Sequence, residues 1–203
     1  MRAAARPFSS TSQTSDSASA HPPTSFPDPE RPDLFYHLFE PPTDISHTSP
    51  VFALSFLPTP PPFARSCTVI GWLPASAPGE QEEGAGLNDF VENPLFRTVL
   101  HEAIQSALRD GADEIQKNGA IQTQAGWMHI HGAYQRNVPA LGRIGDVDDI
   151  LASVRVEGGE ILADTYEPMP SYRFCTADGI LQLTDGLAAR LKEVLEQKAG
   201  KGM

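Results

Sequence analysis

The chain has 203 residues and a formal net charge of −11. Its acids are dispersed rather than blocked, and such a surface repels phosphate backbones and anionic bilayers, which excludes nucleic acid and lipid surfaces as general partners. No run approaches the ~18 apolar residues that a membrane span needs. The two cysteines, Cys67 and Cys175, give neither a disulfide framework nor a CxxC metal spacing.

The first fifteen residues, MRAAARPFSSTSQTS, carry two arginines and no acid, and the first acid is Asp16. An Arg-rich, Ser-rich, acid-poor start is the profile of an organellar transit peptide. In ARPFSS an arginine stands two residues before an aromatic and a serine follows, as at a mitochondrial processing site, so residues 1–8 are read as a presequence cut after Phe8. There is no apolar core of the kind a secretory signal has, and the expected destination is the mitochondrial matrix.

Thirteen of the 19 prolines lie at or before Pro62, together with the run SSTSQTSDSASA. Residues 9–32 are too poor in apolar side chains to offset their ordering entropy and are expected to form a disordered Ser/Pro-rich linker. Beyond it, residues 33–198 are read as one domain, roughly 150 residues of ordinary globular composition being enough for a sizeable core. In DLFYHLFEPP, residues Leu34, Phe35, Leu38 and Phe39 make an i, i+1, i+4, i+5 stripe. That spacing predicts a short helical segment over 33–40, stopped by Pro41 and Pro42, which either packs on its own domain or docks into a partner's groove.

Val51–Leu57 and Cys67–Leu73 are rich in β-branched and aromatic residues and predict strands on either side of a proline-rich loop. Asn93 and Pro94 mark a helix start. An apolar face of Leu95, Val99, Leu100, Ile104, Ala107, Leu108 and Ile115 follows and runs to a stop at Lys117-Asn118-Gly119. Hairpins are expected around Gly158-Gly159 and Asp178-Gly179. Thr184 is placed as the cap of a closing helix whose Leu187, Leu191, Val194 and Leu195 face inward. Hairpins outnumber crossover units, so the elements predict an α+β fold: a largely antiparallel sheet with two main helices packed on it, after a disordered N-terminal tail. An open ferredoxin-like or related sandwich is the expected arrangement, with a small α/β fold as the alternative.

The candidate site residues fall in three places. In GWMHIHGAY the period of a strand puts Trp127, His129 and His131 on one face and Met128 and Ile130 on the other. Two imidazoles on one face can share a metal, but a zinc site needs a third or fourth ligand, and no third ligand stands at a known spacing, so no metal and no cofactor are predicted. The plain reading of the pair is two half-exposed histidines on a sheet face. Arg136 and Arg143 are the cations of a glycine-containing loop, and a guanidinium flanked by Gly142 and Gly145 can approach an anion closely or pair with Asp146, Asp148 and Asp149. Tyr172 and Arg173 follow a Pro-Met-Pro segment fit for a pocket wall, an interface or a buried connection. There is no G-x-S-x-G elbow, and apolar neighbours oppose a reactive thiol at Cys175.

These features predict a non-catalytic mitochondrial matrix protein, an accessory or assembly subunit of a larger complex. Its partners are other mitochondrial proteins, bound through Leu34, Phe35, Leu38 and Phe39. The alternative is a small-molecule-binding protein or small enzyme, with His129, His131, Arg143 and Tyr172 converging on one pocket.

Overall fold

The computed structural model describes residues 25–75, 87–133 and 149–201. Five strands follow one another as an antiparallel meander: β1 (Ser25–Pro27), β2 (Phe35–Phe39), β3 (Val51–Ser55), β4 (Gly71–Pro74) and β5 (Val91–Glu92). Three longer strands, β6 (Ala125–His131), β7 (Ile150–Glu157) and β8 (Glu160–Pro168), form a second antiparallel sheet with β7 in the middle. Between and after them lie the helices α1 (Pro94–Arg109), α2 (Glu114–Thr123) and α3 (Asp185–Gly200). The two-residue strands β9 (Cys175–Thr176) and β10 (Gly179–Ile180) pair with each other. The fold is therefore α+β and antiparallel as expected, but it is built on separate sheets rather than one open ferredoxin-like sheet, because the N-terminal strands close among themselves as a meander.

Within the segment 33–40, Phe35–Phe39 is a strand, which corrects the helical reading. Phe35–Phe39 is rich in residues that suit a pleated, half-buried surface, and it is paired on both sides, Phe35↔Ser55 through Phe39↔Val51 with β3 and Ser25↔His37 through Pro27↔Phe35 with β1. His37 locks the middle of it. Its buried ring accepts from Ser25 Oγ at 2.8 Å through Nδ1 and donates from Nε2 to the Leu57 carbonyl at 3.0 Å. Leu34 is in the core, while Phe35, Leu38 and Phe39 are half-buried in the sheet. The folded part also begins earlier than 33. Asp28 accepts the backbone N–H groups of Glu30 and Arg31 and the Tyr36 hydroxyl, so residues 25–32 belong to the domain rather than to the linker. Residues 1–24, with the expected presequence and most of the expected linker, lie outside the described residues.

Strand β4 starts at Gly71, four residues later than the sequence suggests. The Asn93 side chain explains the delay: its amide donates to the Ser66 and Val69 carbonyls at 2.8 and 2.7 Å and draws them out of the ladder. The same side chain caps α1 by accepting from Leu95 N–H at 3.1 Å, with Pro94 in the first turn as read. Inside α1, Phe96, Val99, Leu100, Ala103, Ile104, Ala107 and Leu108 are buried, whereas Leu95 is exposed.

The long helix expected from Pro94 to Gly119 is two helices. The chain turns at Gly111 (φ +60°), where a residue without Cβ is at ease, and Asp113 starts α2 by accepting from Gln116 N–H at 3.0 Å. Gly119 then sits inside α2, and Ile115 faces solvent. At the other hairpin Gly158 and Gly159 both take positive φ (59° and 79°), the geometry of a two-residue turn that the strand twist favours. α1 packs against α3 and β8. One core unites Leu34, Leu54 and Ile70 of the first sheet with Leu100 and Ile104 of α1, Ile130 and Val154 of the second sheet, and Leu187, Leu191 and Leu195 of α3. Val194 is only half-buried. Ala53, Val69 and Trp72 form a smaller cluster on the opposite face of the first sheet. Among the described residues no helix is long and apolar enough to cross a membrane.

Candidate functional site

Strand β6 presents the face that its alternation predicts. Met128 and Ile130 enter the core, and Trp127, His129 and His131 point the other way, Trp127 with half of its surface exposed. The two imidazole rings stand edge to face with centroids 6.3 Å apart. Ser153, directly across the ladder from His129, shares a hydrogen bond of 2.8 Å between its Oγ and His129 Nδ1. Arg155, opposite Trp127, is paired to Glu157. A register shift between Ile130 and His131 turns the end of the strand, and His131 Nδ1 is buried with no hydrogen-bond partner among the described residues. Burial, and then the neighbouring His129, lowers the His131 pKa against a smaller opposing pull from Asp149. The ring is therefore neutral at neutral pH, with one nitrogen able to accept.

What this face can do chemically is hold an imidazole-compatible polar group. Ser153 and His129 form a hydroxyl–imidazole pair, but no carboxylate among the described residues orients the ring from its other nitrogen, as a nucleophile–base relay requires. No group of three or more His, Cys, Asp and Glu side chains is placed to hold a metal among the described residues.

The other candidates are scattered. Arg136 and Arg143 lie outside the described residues. Tyr172 is buried in the core beside Phe174, with ring centroids 6.3 Å apart, and Arg173 is exposed. The residue that Tyr172 helps to hold is Arg97. The Arg97 guanidinium donates to the Tyr172 carbonyl at 3.0 Å, pairs with Glu92, and lies 4.4 Å over the Phe174 ring. Glu92 in turn accepts from Phe174 N–H at 2.7 Å. This junction ties β5 and α1 to the connection after β8, and it reads as architecture.

A second polar pair sits at the contact of α1 with β8. His101 Nδ1 and the Tyr166 hydroxyl lie 2.8 Å apart, and His101 Nε2 is buried with no partner among the described residues. Burial, helped by the Arg97 charge, pushes the His101 pKa down to about 4, and burial pushes that of Tyr166 up. At neutral pH both groups are uncharged.

The third feature was not visible in the sequence. A groove of about 430 Å³ runs between the Arg31–Phe35 segment and α3. Phe35, Phe56 and Leu183 supply apolar walls, and Ala188 and Ala189 leave the helix side shallow. Arg31 braces one end by donating to the Ile180 carbonyl at 2.8 Å and pairing with Asp33 at 2.7 Å. Lys192, also lining it, has no ion pair among the described residues. These partners are some 150 residues apart in the chain, and no local pattern links them.

Compared with protein families, with curated proteins and with solved structures, the chain matches none.

Proposed function

We propose that this chain is a non-catalytic protein of the mitochondrial matrix, an accessory or assembly subunit of a larger complex, bound to other mitochondrial proteins. The address is supported by the acid-free, arginine- and serine-rich start and the ARPFSS sequence. The observation that carries the subunit reading is the exposure in one helix and the strand after it. Ile115, Ile121 and Trp127 leave 62%, 57% and 50% of their surface in solvent. Each is a large apolar side chain left out of the core in consecutive elements, and tryptophan is enriched among the residues that carry most of the energy of protein interfaces. Partner binding is thereby moved from residues 34–39, which the first sheet occupies, to the α2–β6 unit.

The test is the native size of an epitope-tagged chain carrying Ile115→Asp, Ile121→Asp and Trp127→Ser. All three positions are on the surface, so the domain stays folded, and the variant is expected to leave the high-mass fraction that the parent occupies. A variant that stays in that fraction overturns this assignment of the interface.

A second reading is favoured by His131 Nδ1, a buried acceptor without a partner, on the same strand face as His129. In it, the face binds a small polar molecule and Arg143 supplies the charge. Saturable binding lost in His129→Ala and His131→Ala, with native size unchanged, is the result that selects it.

A further inference from the structure

The groove beside α3 is unaccounted for by either reading. Its volume of about 430 Å³ lies in the range of small-ligand sites, which are mostly apolar with a few placed polar groups. The walls fit that description. Phe35 and Phe56, both half-buried, form one side, and Leu183 and Leu191 continue it toward α3. Where α3 borders the groove it carries Ala188 and Ala189, both exposed, so the helix gives space instead of filling it. Charge then sets the polarity of an occupant. Three charged side chains line the groove. Asp33 is neutralised by Arg31, with two hydrogen bonds of 2.9 and 2.7 Å, and Arg31 is further fixed on the Ile180 carbonyl. That leaves Lys192, an exposed residue with no ion pair among the described residues. In a chain of net charge −11, the charged side chains lining this apolar trough sum to one positive charge.

We infer that this groove binds a small amphiphile with a medium-length hydrocarbon chain and an anionic head. The chain lies against Phe35, Phe56 and Leu183, over Ala188 and Ala189, and the head pairs with Lys192. A lysine suits this task because its flexible stem brings a point charge to a head group of either carboxylate or sulfonate shape.

The experiment is calorimetric titration of the full chain with decanoate, below its aggregation concentration, with decyltrimethylammonium as the control of equal chain length. Decanoate is expected to bind at one site and to bind more tightly than the cation. Ala188→Trp fills the groove from an exposed position and is expected to weaken decanoate at least about tenfold. Lys192→Glu reverses this charge and is expected to weaken decanoate about fivefold or more while strengthening the ammonium ligand. Far-UV circular dichroism of each variant establishes that it is folded. No saturable binding of decanoate, or binding unchanged in both folded variants, overturns the inference, and equal affinity for the two probes overturns its anionic selectivity. His129→Ala is expected to leave decanoate binding unaltered, which separates this site from the strand face discussed above.

Discussion

Asp113 caps the helix that contains Leu187, seventy-four residues further along the chain. Its Oδ2 accepts from Leu187 N–H at 3.1 Å and from the Thr184 hydroxyl at 2.6 Å, while its Oδ1 accepts from Gln116 N–H at 3.0 Å. One buried carboxylate thus closes the N-termini of both α2 and α3. Thr184 occupies the capping position of α3 but spends its hydroxyl on Asp113 and makes no cap bond of its own. Each helix start leaves backbone N–H groups without intrahelical partners, so the loss of Asp113 exposes two ends at once. Asp113→Ala is expected to cost about 2–4 kcal/mol, two caps of about 1 kcal/mol each plus the donors left buried. Asp113→Asn, which retains one acceptor oxygen, is expected to cost less. Urea denaturation of the three proteins measures both; equal stability of wild type and Asp113→Ala contradicts the shared cap.

The approach of α3 to this turn needs Gly186. A Cβ there would stand 2.4 Å from the Ala112 carbonyl oxygen and 2.6 Å from Asp113 Cα, both backbone atoms that cannot step aside. Gly186→Ala is expected to destabilise by about 1–3 kcal/mol, even though alanine is intrinsically the better helix former by about 1 kcal/mol. The denaturation midpoint reads the sign directly, and a rise in stability contradicts the close approach.

Three histidines withdrawn from solvent, one buried and two half-buried, contribute to the response to acid. His37, His101 and His131 all have pKa values lowered chiefly by burial, His101 to about 4. The unfolded chain therefore takes up protons on these rings before the folded one does. Their contribution to stability is complete above about pH 6.5, the ordinary histidine value, and is lost as pH falls below it, for His101 on the way to about 4. For His101, which is partly exposed and so screened, the loss is about 2 kcal/mol. His101→Gln is expected to flatten the fall in stability between pH 6.5 and 4, and an unchanged slope contradicts the assignment.

Arg97 joins three elements through Glu92, the Tyr172 carbonyl and the face of Phe174. Arg97→Ala is expected to cost about 2 kcal/mol. Arg97→Lys is expected to recover less than half of that, because an ammonium has no planar group to lay on the Phe174 ring while it donates to Glu92 and the Tyr172 carbonyl. Thermal unfolding of the two variants compares them, and full rescue by lysine contradicts the role of the planar group.

The features legible in the sequence were those carried by neighbours in the chain. Asn93-Pro94 marked a helix start through local capping chemistry, Gly158-Gly159 marked a turn, and the alternation of Met128 and Ile130 with His129 and His131 set the two faces of β6. The stripe Leu34, Phe35, Leu38 and Phe39 misled because i, i+1, i+4, i+5 spacing over six residues does not separate helix from strand. Partners at Ser25, Val51 and Leu57 settled it, and they are remote. The break between α1 and α2 had local signals, Gly111 and Asp113 three residues before Gln116, but the apolar spacing continued to Ile115 and masked them. The groove was wholly illegible, because its walls come from segments some 150 residues apart in the chain. Of the candidate site, the sequence located the histidine face but not the burial of His131 Nδ1 or the Ser153 hydrogen bond, both products of pairing across the ladder.

Membership of a larger mitochondrial assembly is tested by the native size of the epitope-tagged chain in gently lysed mitochondria. Elution far above the 21.9 kDa of the chain is expected. Elution as a monomer or dimer, or absence of the chain from mitochondria, contradicts it.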